Sequence, residues 1–183
     1  MAETFLNPVI EKLLEKYPGS TVKTVNLVET NIPHLDTGHL RSFFTPAEEL
    51  TAEDRSAIQY SDTAIAQLFA ADIIVIGAPL YNFGIHSSLK AWIDHVARAG
   101  KTFRYDANGP EGLVKGKKLY IAMSSGGIYS EGPYQSYDFV VPYLKATLGF
   151  IGITDITVFR AEGINIPGIK ENALSKAVGA IAV

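Results

Sequence analysis

The sequence predicts an α/β fold built on a doubly wound parallel sheet with helices on both faces. Three observations predict it. Segments with helical spacing alternate with short β-branched or apolar runs along the chain, which is the pattern of βαβ units. The run Ile73-Ile74-Val75-Ile76-Gly77-Ala78 is apolar at every position, as befits a strand buried on both faces. Polar loops bearing glycine follow two of the strand-like runs, and ligands of such sheets bind beyond the carboxyl ends of the strands.

The first element is helical: Phe5, Leu6, Val9, Ile10, Leu13, Leu14 and Tyr17 recur at helical spacing, and Pro18-Gly19 ends that helix. Residues 21–28, TVKTVNLV, alternate and are β-branched, which predicts a strand. Residues 31–50 read as a loop whose apolar residues must pack somewhere. Residues 51–71 predict a long helix, with Thr51 placed to cap it and Asp54 three residues on. A strand comes next over 72–77, then a helix through Ala99 capped by Ser87 or Ser88. KKLYIAMSS (117–125) predicts a third strand, Tyr137 to Phe150 a helix in spite of Pro142, and ITDITVFRAEG (153–163) a fourth strand. A helix from about Ile169 closes the chain. With no internal repeat and no low-complexity linker, the 183 residues suit a single domain.

Composition excludes several classes of function. At 47% hydrophobic and 19% charged the chain is globular, and its net charge of -3 comes from interspersed acids and bases. Nothing suggests a nucleic-acid footprint, which needs Lys and Arg clustered on one face. There is no cysteine, so disulfides, thiol catalysis and thiolate metal sites are excluded. No apolar run approaches the ~20 residues of a membrane span, and MAETFLNPVIEKLLEKYPG has no basic region of the secretory kind. A cytoplasmic location is the default expectation. His34, His39, His86 and His95 share no regular spacing and no acidic cluster, so no metal site is expected. Ser124 and Ser125 lack the G-x-S-x-G setting of a nucleophile elbow, and no catalytic residue is assigned.

Candidate binding residues are therefore sought in the loops leaving the strands. After 72–77 comes APLYNFGIHSS. Pro79 stiffens the exit, Gly84 lets backbone approach a ligand, and Tyr81 and Phe83 flank peptide groups able to bond a polar heterocycle. An ordinary strand-to-helix loop with two tucked aromatics explains the segment equally well. After 119–124 comes SSGGIYSEGP, whose paired glycines suit a loop lying flat against a planar group or an anion. Its weight comes from occupying the matching position in the next βα unit. Between them, in KTFRYDANGPEGLVKGKK (101–118), Phe103, Arg104 and Tyr105 followed by a Gly/Pro-rich excursion suit a loop over the site or into a partner subunit, but a solvated connection in which Asn108-Gly109 is a turn is the favoured reading.

Taken together, APLYNFGIHSSLKAWIDHVARAGKTFRYDANGPEGLVKGKK, SSGGIYSEGP and LGFIGITDITVFRAEG closely resemble the FMN-dependent NADH-azoreductases, which belong to the flavodoxin-like quinone reductases. The resemblance covers essentially the whole chain from the first helix onward. It implies a flavodoxin-like domain over residues 1–183 with tightly bound FMN, and a homodimer with one FMN at each of two interface sites. It implies that Pro79, Leu80, Tyr81, Asn82 and Phe83 hold the isoalloxazine edge through main-chain groups and the Asn82 side chain. Ser124, Ser125, Gly126 and Gly127 border the ring. Tyr105, Tyr129 and Phe150 line the substrate pocket, one of the aromatics reaching across from the partner. The reaction implied is ping-pong: NADH gives a hydride to the flavin and leaves, and a quinone or azo compound takes the electrons in the same place. The absence of a catalytic triad fits, since hydride transfer is the cofactor's chemistry. An electron carrier or non-catalytic flavin-binding module is the alternative, and a flavin-free relic a third reading.

The chain also departs from that pattern. A flavodoxin-like sheet has the order 2-1-3-4-5 and opens on a strand and a phosphate loop. Here the first predicted element is a helix, so a strand and its loop are expected to be lacking between 21–28 and 72–77, leaving a gap of roughly 9–10 Å. Tyr129 stands where many relatives carry His, and YQSYDF (134–139) is slightly longer than in relatives.

Overall fold

The structure, a computed structural model, describes residues 2–183. In chain order the elements are α1 (Ala2–Lys16), α2 (Thr37–Phe44), α3 (Ala52–Ala70), β1 (Ile73–Pro79), α4 (Ser87–Val96), β2 (Phe103–Asp106) and β3 (Gly109–Gly112). They continue as β4 (Lys118–Ser124), α5 (Val141–Phe150), β5 (Asp155–Ala161) and α6 (Lys170–Gly179). Three strands form a parallel sheet in the order β1-β4-β5, and β2 with β3 form an antiparallel hairpin.

Residue parity along β4 explains why helices cover both faces. Leu119, Ile121 and Met123 point to one side and are buried with Ile76, Leu89, Ile93, Leu144 and Leu148. Tyr120 and Ala122 point to the other, where Phe5, Val9, Phe159 and Ala177 enclose them. Tyr120 stacks on Phe159 with ring centres 5.7 Å apart. The first cluster lies under α3, α4 and α5, the second under α1 and α6. The predicted doubly wound α/β architecture is therefore present.

Four details differ from expectation. Residues 21–26 form no strand, and Val22 and Val25 are exposed. Their alternation suits a strand, but a strand exists only as part of a ladder, and among the described residues none pairs with this segment. β1 likewise pairs only with β4, which leaves Ile73, Ile74 and Val75 half-buried. Second, residues 37–44 are helical rather than loop. Asp36 caps α2 by accepting the His39 N–H at 2.9 Å, and the His39 ring faces the Asp36 amide in return. A histidine in that reciprocal place is not the usual Glu or Gln signal. Third, α4 is capped by the His86 ring, which accepts the Leu89 N–H at 3.2 Å, and the helix stops at Val96. Fourth, 101–118 is built into the fold as the β2–β3 hairpin, which docks on the end of α5 through the Val114 N–H bond to Ile151 O at 2.9 Å.

Within 31–50, Leu40 and Phe44 stay exposed while the His39 and Phe43 rings pack against His95, which is fully buried. Its Nε2–H donates to Pro33 O at 2.8 Å, and the His39 and Tyr60 rings stand edge-on 5.4 and 5.0 Å away. Burial pushes His95 below its ordinary value, which favours the neutral ring.

Thr51 caps α3 as expected, and Asp54 does more than complete the box. Its carboxylate accepts the Thr51 hydroxyl at 2.6 Å, Arg41 at 2.6 Å, the Thr51 amide at 3.1 Å and the Ser42 hydroxyl at 2.9 Å. These donors, the Thr51 hydroxyl first, hold Asp54 well below its ordinary value of 3.8. A depressed carboxyl stabilises the fold above its unfolded pKa, and the contribution is lost as the pH falls through the folded value. Asp54→Asn is therefore expected to flatten the acid limb: between about pH 5 and about pH 2 the wild type loses more thermal stability than the variant. Equal losses would show that Asp54 carries no acid-linked stability.

Candidate functional site

β1 and β4 run in register, so Pro79 lies beside Ser124, and the same Ser124 lies beside Ala161 of β5. Three strand ends thus release their loops along one edge of the sheet. The Leu80 N–H donates to Ser124 O at 2.8 Å and the Ser125 N–H to Ala161 O at 3.0 Å, which ties the three exits together.

The first loop turns sharply. Tyr81 and Gly84 exchange N–H···O bonds of 3.0 Å in both directions, enclosing a two-residue turn. Asn82 and Phe83 sit at φ 48° and 69°. Such turns demand positive φ at both central positions; Asn tolerates it, while a bulky aromatic is strained by it. Gly84 is not in that region, and a Cβ there would have room. The demanding backbone positions are Asn82 and Phe83, contrary to the reading that gave Gly84 the close approach. The turn leaves the Asn82 and Phe83 amides without a partner among the described residues, and exposes the Tyr81 and Phe83 rings.

The second loop is held by its backbone. Ser124 and Ser125 are buried, and the Ser125 hydroxyl donates to Gly127 O at 2.8 Å. Gly163 donates its N–H to Gly127 O and Asn165 to Gly126 O, each at 3.0 Å. A Cβ at Gly126 would lie 2.6 Å from Asn165 Nδ2, so the Asn165 side chain would have to shift to admit it. The Gly126 and Gly127 amides also lack partners among the described residues. The Phe83 ring faces Tyr129 edge-on at 6.3 Å and Tyr137 at 5.1 Å, so the loops meet through aromatic contact.

The structure thus brings Pro79 to Phe83, Ser124 to Gly127 and Tyr129 to one place. It does not join Tyr105 and Phe150 to them. Those two belong to a separate aromatic group, with Phe103 standing 5.8 Å from Tyr105 and 4.7 Å from Phe150. Sequence reasoning missed Arg160 and Glu162, and it singled out 134–139, which holds Tyr137, Asp138 and Phe139, for its length alone without naming those residues as site residues. Asp138 had a signal, since its Oδ1 accepts the Val140 and Val141 amides at 3.0 Å just ahead of Pro142, an arrangement typical of a helix start. A cavity of about 310 Å³ opens behind Tyr129, with Gln135, Asp138, Lys145 and Arg160 on its walls.

Unpartnered amides on two adjacent loops, a strained turn and flanking aromatics are the groups that a flat ligand with hydrogen-bond acceptors on its rim would engage. The residues present therefore fit the ring portion of a flavin. Among the described residues, no group of acids and histidines is arranged to hold a metal ion.

The comparisons with known proteins point the same way. A family model described as the flavodoxin-like fold matches residues 2–183. The FMN-dependent NADH:quinone oxidoreductase of Herminiimonas arsenicoxydans is 55% identical over 155 residues, covering 85% of this chain and 76% of its own. A crystal structure of azoreductase from Bacillus anthracis str. Sterne superposes with a TM-score of 0.91 at 30% identity, over 97% of this chain and 87% of that one. An FMN-dependent NADH-azoreductase from Bacillus anthracis str. Ames Ancestor, solved in complex with FMN, has a TM-score of 0.85 at 29% identity, over 98% and 89%.

Proposed function

The chain belongs to the flavodoxin-like fold family, and from that footing we propose that it is an FMN-dependent NADH:quinone oxidoreductase that also accepts azo compounds. The observation that carries this reading is the pair of loops at the ends of β1 and β4, each offering unpartnered amides to one slot. The curated relative at 55% identity bears that activity in its name. The electron-carrier alternative has no observation in its favour.

FMN, when bound, supplies the two-electron redox chemistry. The chain binds and orients. The Asn82 and Phe83 amides and the Asn82 side chain would hold the polar rim, and the Gly126 and Gly127 amides would offer donors where negative charge gathers. Tyr81, Phe83 and Tyr129 supply apolar walls that limit water. NADH and the quinone or azo acceptor use the slot in turn. The reading also includes a homodimer, because Tyr105 and Phe139 expose 69% and 58% of their surface, a large aromatic area for a lone chain. In this dimer Tyr105 and Phe150 complete the pocket across the interface. Among the described residues no helix is long and apolar enough to cross a membrane, and the cytoplasm is the proposed location.

Steady-state kinetics test the function. With NADH varied at several fixed quinone concentrations, parallel double-reciprocal lines are expected; intersecting lines would contradict shared use of one slot. Sedimentation is expected to give the mass of two chains, and a single-chain mass at micromolar concentration would remove the interface from the account.

A further inference from the structure

Behind the two loops lies a set of charges to which the proposed function assigns no part. Arg160, near the end of β5, directs its guanidinium at Asp138 Oδ2, 2.5 Å away, and at Glu162 Oε1, 3.3 Å away. It also lies 3.8 Å from Met123 Sδ. Both carboxylates are nearly buried, at 6% and 10% side-chain exposure, so little water dilutes the pairs.

Each carboxylate has a second task, and the two tasks lie on different loops. Glu162 Oε1 accepts the Tyr129 N–H at 2.8 Å and so holds the far end of the Gly126–Tyr129 loop. Asp138 Oδ1 accepts the Val140 and Val141 amides where the chain enters α5. Its neighbour Phe139 donates its N–H to Phe83 O at 3.1 Å, a donor shared with Tyr137 O at 3.1 Å. Asp138 therefore fixes the segment that supports the Tyr81–Gly84 turn. Arginine suits this place because its planar fork engages two carboxylates at once, whereas a lysine offers a single point charge.

We propose that Arg160 is a positioning residue that couples the two loops: bridging Asp138 and Glu162, it sets both walls of the slot together. The consequence for flavin rests on the function proposed above, while the coupling itself is a property of the chain.

Amide hydrogen exchange on the full chain, with and without FMN, tests it. Glu162→Gln is the informative variant, because glutamine can still accept the Tyr129 N–H but reduces the charged pair with Arg160 to a neutral hydrogen bond on the same oxygen, and the Phe139 N–H bonds to Phe83 O and Tyr137 O, not to residue 162. The coupling predicts that Glu162→Gln speeds exchange at Phe139 by about tenfold, in the range usual for coupled sites. Placed on Arg160→Met, the same change is expected to add nothing at Phe139, as a double-mutant cycle requires of a shared link. Arg160→Lys is expected to leave one loop protected and loosen the other. The Ile121 amide in β4 should stay protected throughout, which separates loop coupling from loss of the fold. FMN dissociation constants are expected to rise about tenfold in Glu162→Gln and Arg160→Met alike. A response confined to Tyr129 in Glu162→Gln, or additive effects in the double variant, would overturn the proposal. If the wild-type chain holds no FMN, the function falls while the exchange data still decide the coupling.

Discussion

Gly112→Ala is expected to cost about 3 kcal/mol of stability, the upper end for overpacking a tight site. A Cβ at residue 112 would stand 2.5 Å from Gly152 Cα and from Ile151 C, and closer still to Gly152 N. All three atoms are backbone, so no side chain can swing aside. Gly152 cannot yield either, since its φ of 112° belongs to glycine. The alanine therefore lifts the β2–β3 hairpin off the end of α5 and breaks the Phe103–Phe150 contact, displacing Tyr105 with it. Urea unfolding measures the cost. Gly149→Ala, in α5 with nothing within 4 Å of the added carbon, serves as the control and is expected to be neutral or stabilising. A loss below about 1 kcal/mol in Gly112→Ala would mean that the hairpin is not docked as described.

Asn82→Ala is expected to have the larger effect on function. Asn82 sits at φ 48°, where asparagine is tolerated and alanine is strained by about 1 kcal/mol. The substitution also removes the side-chain amide proposed to bond the flavin rim. Together these should raise the FMN dissociation constant by at least about tenfold, or about 1.4 kcal/mol. Asn82→Gly separates the causes, because glycine accepts the turn but supplies no amide. It is expected to keep wild-type stability and still lose FMN affinity. Unchanged flavin content in purified Asn82→Ala would contradict the assignment of this turn to the site.

Much of this was legible in the sequence because the relevant forces are local or periodic. Ile73 to Ala78 read as a strand and is one, although it lies at the edge of the described sheet rather than inside it; Thr51 and Asp54 announced a cap, and the loops that leave β1 and β4 were found from strand ends alone. What was not legible depends on partners distant in sequence. Residues 21–28 have strand chemistry, yet pairing decides whether a strand exists, and the described chain offers this segment no ladder. The short helix α2 was hidden because His39 stands where a Glu or Gln would mark the capping box. In the site, the glycine at 84 drew attention that belonged to Asn82 and Phe83, since positive φ at a phenylalanine is imposed by the turn and has no compositional sign. Arg160 and Glu162 were invisible for a similar reason. Alternating charges at the end of a strand read as solvated until the fold sets Asp138 and the Tyr129 amide beside them.

The most direct test of the central claim is an absorbance spectrum of the purified chain after excess FMN is added and the free portion removed, followed by NADH under anaerobic conditions. The account predicts retained flavin bands at about one FMN per chain that bleach on NADH and return when a quinone is added. Retained flavin that NADH fails to bleach would contradict the proposed function.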